Sequence, residues 1–467
     1  EDFHEAPLGG AELFGKLSQT YAGLVQIDEV LFVDVQHYDG FLYNLETEDG
    51  WYIAENHVVS NTRPPRNRTP TWKEIESCRP SIIRDIEATK PLAIFGFGGT
   101  PLLWTLGPTA SKISVWRGRR VPVRIGGHSC WFYPMYHPAY IVRLGGERIW
   151  SKEKFVFERD LKAALSDLGN LGPPTIPTRE QVLEEIEITD LRMPEEEALH
   201  RIGARLTEAS RCPKVAIDIE TTALRPYGKN SRIVSFSLAT TAGAFAFPVQ
   251  AKAWGSSAYT KAVTGLIRDF LLSVRGVKIC HNMAFELEWF GHFLGREVIR
   301  AGTWDDTMVQ GYVLDERRGA LGLDNLILQH FGFSEKSVHN IDRANIEASP
   351  LPTILSYNGL DTKWTLALHR IQALLIIEQK LQAAHRDQIR SVPTMILTQM
   401  AGVPVSQREV KKHSAALLAQ LVDVKNKLLD LPEAKKFKRA TGREFNPGSN
   451  PDVAYVLETL LRRSEGY

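Results

Sequence analysis

Residues 215–222 read Val-Ala-Ile-Asp-Ile-Glu-Thr-Thr, an apolar run in which apolar and polar residues alternate from Ile217 to Glu220. This apolar run predicts a β-strand. Successive side chains of a strand point to opposite faces, so Asp218 and Glu220 share one face while Ile217 and Ile219 share the other. Two carboxylates side by side repel each other, and such a pair usually needs a cation. The pattern therefore predicts a cation site on this strand.

Two further pairs of polar residues have helical spacing. Asn282 precedes Glu286 by four residues, and Tyr357 precedes Asp361 by the same interval. Residues i and i+4 share a helix face, so Tyr357 and Asp361 can point into one site. Taken alone, Asp218 and Glu220 are more typical of a solvated strand end, and Asn282 with Glu286 of a polar helix face. Tyr357 with Asp361 alone is more typical of a local hydrogen bond. Together, four acidic groups and a tyrosine in one pocket are what two-metal phosphodiester hydrolysis requires.

Residues 195–373 resemble a proofreading-type 3′–5′ exonuclease domain of the DEDD superfamily, tyrosine subtype. Asp218 and Glu220 match its first motif, His-Asn-Met-Ala-Phe-Glu at 281–286 the second, and Tyr-Asn-Gly-Leu-Asp at 357–361 the third. The second motif more usually ends in Asp, whereas here Glu286 keeps the charge and adds a methylene. The segment at 304–308 resembles the stretch between the second and third motifs, and its two aspartates are interpreted as supporting groups rather than ligands.

This resemblance implies a ribonuclease H-like domain with a mixed sheet, and a metal-dependent 3′–5′ DNA exonuclease that releases 5′-mononucleotides. Asp218, Glu220, Glu286 and Asp361 would hold two Mg²⁺ or Mn²⁺ ions about 4 Å apart, and Tyr357 would orient the attacking water. The expected partners are DNA, as a single-stranded 3′ end or a primer–template, and a replisome. Two alternatives are an exonuclease fold that only binds single-stranded DNA, and a DEDD nuclease that trims RNA 3′ ends.

Residues of about 373–435 have the pattern of long amphipathic helices, interrupted at 400–405. Periodicity alone favours a generic antiparallel helical hairpin. The sequence Met-Ala-Gly-Val-Pro-Val at 400–405, followed by Phe-Asn-Pro-Gly-Ser at 445–449, resembles the start of a family A DNA polymerase, which forms the base of the thumb. The resemblance implies a truncated thumb base at 374–467 that contacts duplex phosphates. The whole chain resembles the front part of a phage-type polymerase, and no polymerase activity is expected from it.

Residues 62–166 predict a small α/β unit. They contain Arg-Pro-Pro-Arg-Asn-Arg-Thr-Pro at 63–70, an apolar strand at 92–96 that leads into a glycine-rich turn, and His137 in a loop held by Pro138. These features resemble the family 4-like uracil-DNA glycosylases, in which His137 would contact a base taken out of the stack, or its leaving group. Residues 1–33 are assigned to the same unit. The family's acidic catalytic motif has no counterpart here, and of its iron–sulfur ligands only Cys78 has a matching position, so an incomplete, inactive unit is expected.

Residues 34–61 interrupt this glycosylase-like unit. Their pattern predicts two or three short strands with an Asp-Gly turn at Asp49 and Gly50. They resemble the C-terminal (Hint) segment of an intein, in which Asn61 would cyclise and Thr62 would be the nucleophile of the following extein. Ser60 replaces the usual histidine and no N-terminal splicing block precedes, so no splicing is expected.

Length and composition agree with an α/β multidomain protein. The chain has 467 residues, of which 43% are hydrophobic, and this suggests about two to four domains. The glycine- and proline-rich residues 169–178 predict a linker, assigned to 167–194, and the acidic residues that follow, at 180–187 and 195–198, have helical patterning. The net charge of +1 gives no global nucleic-acid signal, so any basic surface must be local. The four cysteines include no Cys-x-x-Cys pair, which argues against a zinc finger. With no apolar stretch near about 18 residues and no signal peptide, the expectation is a cytoplasmic protein, in the host cell if phage-encoded, without a membrane partner.

Overall fold

The computed structural model describes residues 51–54, 57–60, 70–107, 110, 112–145, 151–169, 171–317, 319, 321–333, 341–342 and 344–461. The chain divides into two compact units. The first comprises Glu1–Gly118 with Arg124–Gly172, and the second comprises Arg119–Val123 with Pro173–Tyr467. Helices and mixed sheets build the described parts of both, which confirms the predicted α/β multidomain class.

The described part of the first unit begins with two antiparallel strands, β1 (Trp51–Ala54) and β2 (His57–Ser60), in a segment for which the sequence predicts short strands. Asn61, Thr62, residues 1–33 and the Asp49–Gly50 turn lie outside the described residues. Beyond them the unit is the predicted small α/β structure, with a three-stranded sheet in the order β3-β5-β4. Its elements are α1 (Trp72–Thr89), β3 (Ala93–Phe97), α2 (Gly99–Leu106), α3 (Ile113–Trp116), β4 (Val121–Ile125), β5 (His128–Met135), α4 (Pro138–Gly145) and α5 (Lys152–Leu168).

A six-stranded mixed sheet forms the centre of the second unit, in the order β11-β10-β7-β8-β9-β6. Strands β7 to β9 form an antiparallel meander, whereas β10 runs parallel to β7 and β11, and β6 runs parallel to β9. The elements as far as the last strand are α6 (Arg179–Glu184), β6 (Ile186–Ile188), α7 (Glu195–Ser210), β7 (Lys214–Thr221), β8 (Ile233–Thr240), β9 (Gly243–Pro248), α8 (Ser257–Ser273), β10 (Val277–Cys280), α9 (Met283–Phe293), α10 (Glu297–Arg300) and β11 (Thr303–Asp306). After the sheet come α11 (Thr307–Leu314), α12 (Leu323–Phe331), a 3₁₀ turn (Ile346–Ala348) and α13 (Leu351–Glu378).

Two expectations about this unit need correction. The predicted linker at 167–194 is shorter, because its residues 179–188 form α6 and β6, and β6 pairs with β9 at the edge of the sheet. The pattern of residues 231–238 predicts the next antiparallel strand, which would put a sheet edge beside the acidic residues. The strand exists as β8, but it is interior, because β9 continues the meander and covers it.

The two faces of this sheet differ in side-chain size. One face carries large apolar side chains that pack against α7, α8 and α9, and it includes Val215, Ile217, Ile219, Phe236 and Phe247. The opposite face is lined by alanines, Ala216, Ala239 and Ala244, which pack with Leu366 of α13. Because alanine side chains are short, α13 can lie close to the sheet. Asp218 and Glu220 continue the alanine face of β7, since side chains alternate along a strand.

Four helices follow α13: α14 (Gln382–Ala401), α15 (Gln407–Asp430), α16 (Pro432–Thr441) and α17 (Asn450–Ala454), with a π-helical turn at Tyr455–Leu461. The break between α14 and α15 agrees with the predicted interruption at 400–405. The predicted domain boundary at residue 373 lies inside α13, which continues to Glu378. Ile396 and Met400 of α14 pack into the core beside α9, whereas α15 buries none of its residues. No described helix has the length and apolar character needed to cross a membrane.

Candidate metal centre

Asp218, Glu220 and Asp361 meet at the alanine face of the sheet. One carboxylate oxygen from each lies within 4.8 Å of the others. The first two side chains are half-buried on β7, and Asp361 is buried on α13. Carboxylate oxygens are the ligands preferred by Mg²⁺ and Mn²⁺. The carboxylates that the sequence analysis assigned to the first and third motifs therefore form one cluster with the chemistry of a divalent-cation site.

Glu286 lies beside this cluster rather than within the group of three. It occupies the first turn of α9 and is 2% exposed. Its Oε2 atom has no hydrogen-bond partner among the described residues. Burial raises the pKa of Glu286 well above its usual range, and the nearby carboxylates of Asp306, Glu220 and Asp361 add to the rise. A buried carboxyl oxygen without a partner is costly, so the site is better satisfied with a cation than without one.

Asp306 positions the turn that carries Glu286. Its carboxylate accepts hydrogen bonds from the backbone N–H groups of Asn282 at 3.0 Å and Met283 at 2.7 Å, where α9 begins. It also accepts from Met308 at 2.7 Å and Val309 at 3.4 Å, where α11 begins. One carboxylate thus caps two helices. Asp306 thus supports the helix that carries Glu286, which is the kind of role interpreted from the sequence for the segment at 304–308.

The other aspartate of the 304–308 segment, Asp305, links α13 to α14. It is hydrogen-bonded to Nε2 of His369 on α13 and to Nε2 of His385 on α14, both at 2.9 Å. Burial alone would raise the pKa of Asp305, but the hydrogen bonds from the two histidines lower it below its usual range. His281, interpreted as structural, has its Nδ1 atom 2.9 Å from the hydroxyl of Thr307.

Helix α13 brings the third motif to the site. Tyr357 and Asp361 lie one turn apart and are both buried, with Tyr357 5% exposed. The residue after Tyr357 was missed by sequence reasoning: Asn358 is fully buried, and its Nδ2 donates to Oδ2 of Asp218 at 2.5 Å. Ser235 and Ser237, also buried, hydrogen-bond to Asn358. The signal available in the sequence was a Ser-x-Ser pattern inside an otherwise apolar strand.

His137 of the first unit lies between β5 and α4, in the loop position that the sequence predicted. Its Nδ1 accepts a hydrogen bond from the backbone N–H of Ala139 at 3.1 Å. The ring lies against Gly98, which has φ +96°, and a Cβ at that position would be 3.4 Å from the Cβ of His137. The glycine-rich turn after β3 thus lies directly against this histidine.

The raised pKa of Glu286 predicts how metal-free stability depends on pH. The folded protein holds this proton to a higher pH than the unfolded chain, so the stabilisation is complete below the unfolded pKa of about 4.3 and is lost as pH rises through the folded value. In EDTA, the free energy of unfolding should therefore fall as the pH rises above about 4.3, by at most about 1.4 kcal/mol per pH unit from this group. Urea denaturation at several pH values measures it.

The control is Glu286→Gln, whose amide does not titrate. Subtracting its profile from that of the natural chain removes the contributions of all other groups. Equal slopes for the two proteins would contradict the raised pKa of Glu286.

Comparison with known proteins agrees with this geometry. Residues 195–375 match the family model for a 3′-5′ exonuclease, and residues 30–161 match that of the uracil DNA glycosylase superfamily, a span that includes the intein-like segment. Over 264 residues the chain is 26% identical to the DNA polymerase of Escherichia phage T5, covering 52% of this chain and 30% of that protein. Over 88 residues it is 35% identical to the type-4 uracil-DNA glycosylase of Pyrobaculum aerophilum, covering 18% of this chain and 45% of that enzyme. The chain thus spans less than half the length of these relatives.

Among solved structures, Brucella melitensis NrnC with bound Mg²⁺ superposes with a TM-score of 0.33 and 17% identity, covering 47% of this chain and 94% of that one. The two family resemblances read from the sequence motifs are confirmed by the family models. Residues 195–375 form a 3′–5′ exonuclease domain of the DNA polymerase A type, and residues 30–161 belong to the uracil-DNA glycosylase superfamily.

Proposed function

We propose that this chain removes nucleotides from the 3′ end of DNA in a metal-dependent reaction, as part of a DNA polymerase. The observation that carries the proposal is the convergence of Asp218, Glu220 and Asp361 within 4.8 Å, beside buried Glu286, in a domain that matches 3′–5′ exonucleases. Primer–template DNA would be the partner and a replisome in the host cytoplasm the setting, in agreement with the likeness to a phage DNA polymerase.

The four carboxylates would hold two Mg²⁺ or Mn²⁺ ions. Such ions lower the pKa of water and neutralise negative charge that develops on the phosphodiester. Tyr357, one helical turn before Asp361, would hold the attacking water in line with the terminal phosphate. Burial of Glu286 and Asp361 strengthens their electrostatic interactions, because the local dielectric is low. A 5′-mononucleotide would leave.

The loop between β7 and β8 supports a single-stranded substrate. Leu224 is 84% exposed and Tyr227 52% exposed, and both follow the metal-binding residues of β7 closely in the chain. Arg225 of the same loop forms an ion pair with Glu288, a buried residue of α9. Exposed apolar and aromatic side chains beside an anchored loop offer surfaces on which unpaired bases can stack.

A second candidate function is binding of single-stranded DNA without cleavage. The observation that favours it is that Glu286 stands outside the group of three converging carboxylates. RNA trimming is the weaker alternative, because the polymerase relative is a DNA enzyme.

The test is degradation of a 5′-labelled single-stranded DNA oligonucleotide with Mg²⁺ or Mn²⁺, beside an RNA of the same sequence. We expect a ladder that shortens from the 3′ end, disappears in EDTA and forms faster on DNA than on RNA. DNA binding without a ladder would support the second candidate, and faster degradation of the RNA would support the third.

A further inference from the structure

We infer that Asn358 is a positioning residue, which fixes the carboxylate of Asp218 in the orientation that binds the metal ion. This inference rests on the proposed function, since it concerns the same site. It assigns a role to one of the three residues between Tyr357 and Asp361 in the third motif, and to a serine on the neighbouring strand.

Asn358 lies between sheet and helix with no solvent exposure. Its Nδ2 donates to Oδ2 of Asp218 at 2.5 Å, and its Oδ1 accepts from the hydroxyl of Ser235 at 3.0 Å. The partners define which way the amide points. A flipped amide would put its oxygen against the carboxylate, and an ionised carboxylate can only accept.

Strand register explains why these groups meet. In the antiparallel pairing of β7 and β8, Ser235 lies opposite Glu220 and Ser237 lies opposite Asp218. Directly opposed residues share one face of the sheet. Both serines are fully buried under α13, where a hydroxyl requires a hydrogen-bond partner. Asn358 supplies both partners, its side-chain oxygen for Ser235 and its backbone oxygen for Ser237 at 2.8 Å.

The two serines therefore have different roles although their burial is the same. The hydroxyl of Ser235 donates to the side-chain amide that holds Asp218, whereas the hydroxyl of Ser237 donates to the backbone oxygen of Asn358. Asp218 loses rotational freedom through the hydrogen bond from Asn358, so less entropy is lost when a cation binds. Loss of such an outer hydrogen bond to a metal ligand typically weakens metal binding about 10- to 100-fold.

The experiment measures Mn²⁺ binding without DNA, from the electron paramagnetic resonance signal of free Mn²⁺, and cleavage at varied Mn²⁺ and oligonucleotide concentrations. Asn358→Leu and Ser235→Ala should weaken Mn²⁺ binding at the site about tenfold or more, Asn358→Leu the more strongly. The Mn²⁺ concentration for half-maximal cleavage should rise in parallel, while the oligonucleotide concentration for half-maximal rate stays unchanged. Ser237→Ala is the matched control and should leave Mn²⁺ binding unchanged.

Binding measured directly separates this inference from the proposed function. A natural chain that binds Mn²⁺ but does not cleave would overturn the exonuclease proposal, while weaker binding by Ser235→Ala would still support the role of Asn358. Equal Mn²⁺ binding by the natural chain, Ser235→Ala and Asn358→Leu would overturn the inference, as would an equal loss in Ser237→Ala. If Asn358→Leu does not fold, Ser235→Ala decides. A natural chain that binds no Mn²⁺ would overturn both.

Discussion

Asp218→Ala should slow 3′-end cleavage by on the order of 10³-fold or more, because it removes one of the three converging carboxylates that we propose as metal ligands. A loss of several kcal/mol of transition-state stabilisation corresponds to that factor. The fold should persist. In the metal-free protein, removing one of the three carboxylates relieves their mutual repulsion but leaves the buried amide of Asn358 without its acceptor. Because these two effects oppose each other, the melting temperature in EDTA should change little. Single-turnover cleavage of a labelled oligonucleotide and thermal unfolding in EDTA measure the two effects.

The matched control is Asp190→Ala. The side chain of Asp190 is 41% exposed and pairs with Arg192, and Asp190 is not one of the three converging carboxylates. Its removal should change the cleavage rate by no more than about twofold, as for most surface substitutions. A rate for Asp218→Ala close to that of Asp190→Ala at saturating Mn²⁺ would contradict the assignment of Asp218 as a ligand.

Local periodicity was enough to predict the elements that carry the site. The alternation along β7 placed Ile217 and Ile219 on one face, and both are buried in the large-residue core. It placed Asp218 and Glu220 on the other face, where they meet Asp361. The spacing of Tyr357 and Asp361 likewise predicted one helix face. Each of these predictions depends on residues fewer than five apart, so no tertiary information was needed.

Features that depend on contacts between residues far apart in the sequence could not be predicted from local periodicity. Asn358 and Asp218 are 140 residues apart in the chain, and only the position of α13 over the alanine face brings them together. The three-residue strand β6 has too short a pattern to be recognised, yet it pairs with β9 because β9 offers an open edge. The same pairing information was missing when β8 was expected to lie at an edge.

The double cap at Asp306 is a second feature of this kind, and it predicts a large effect on stability. Asp306→Ala removes the acceptor for four backbone N–H groups at the starts of α9 and α11. A helix cap contributes about 1 kcal/mol, and buried donors left without partners add about 1–3 kcal/mol. The free energy of unfolding, measured by urea denaturation in EDTA, should therefore fall by about 3 kcal/mol or more. Cleavage should fall too, because Glu286 occupies the first turn of α9.

Two further variants separate this explanation from a general loss of burial. In Asp306→Asn, an oxygen at the Oδ1 position keeps the bonds from Asn282, Met308 and Val309, and only the bond from Met283 is lost. Its cost should be near about 1 kcal/mol. Ser256→Ala removes the single cap at the start of α8 together with the hydrogen bond that the Ser256 hydroxyl donates to Glu195, and should cost about 1–2 kcal/mol. The loss in free energy of unfolding should be much larger for Asp306→Ala than for Asp306→Asn or Ser256→Ala, because Asp306→Ala leaves the most N–H groups unpaired. Equal losses of unfolding free energy in all three variants would mean that the carboxylate of Asp306 contributes no more stability than a single helix cap.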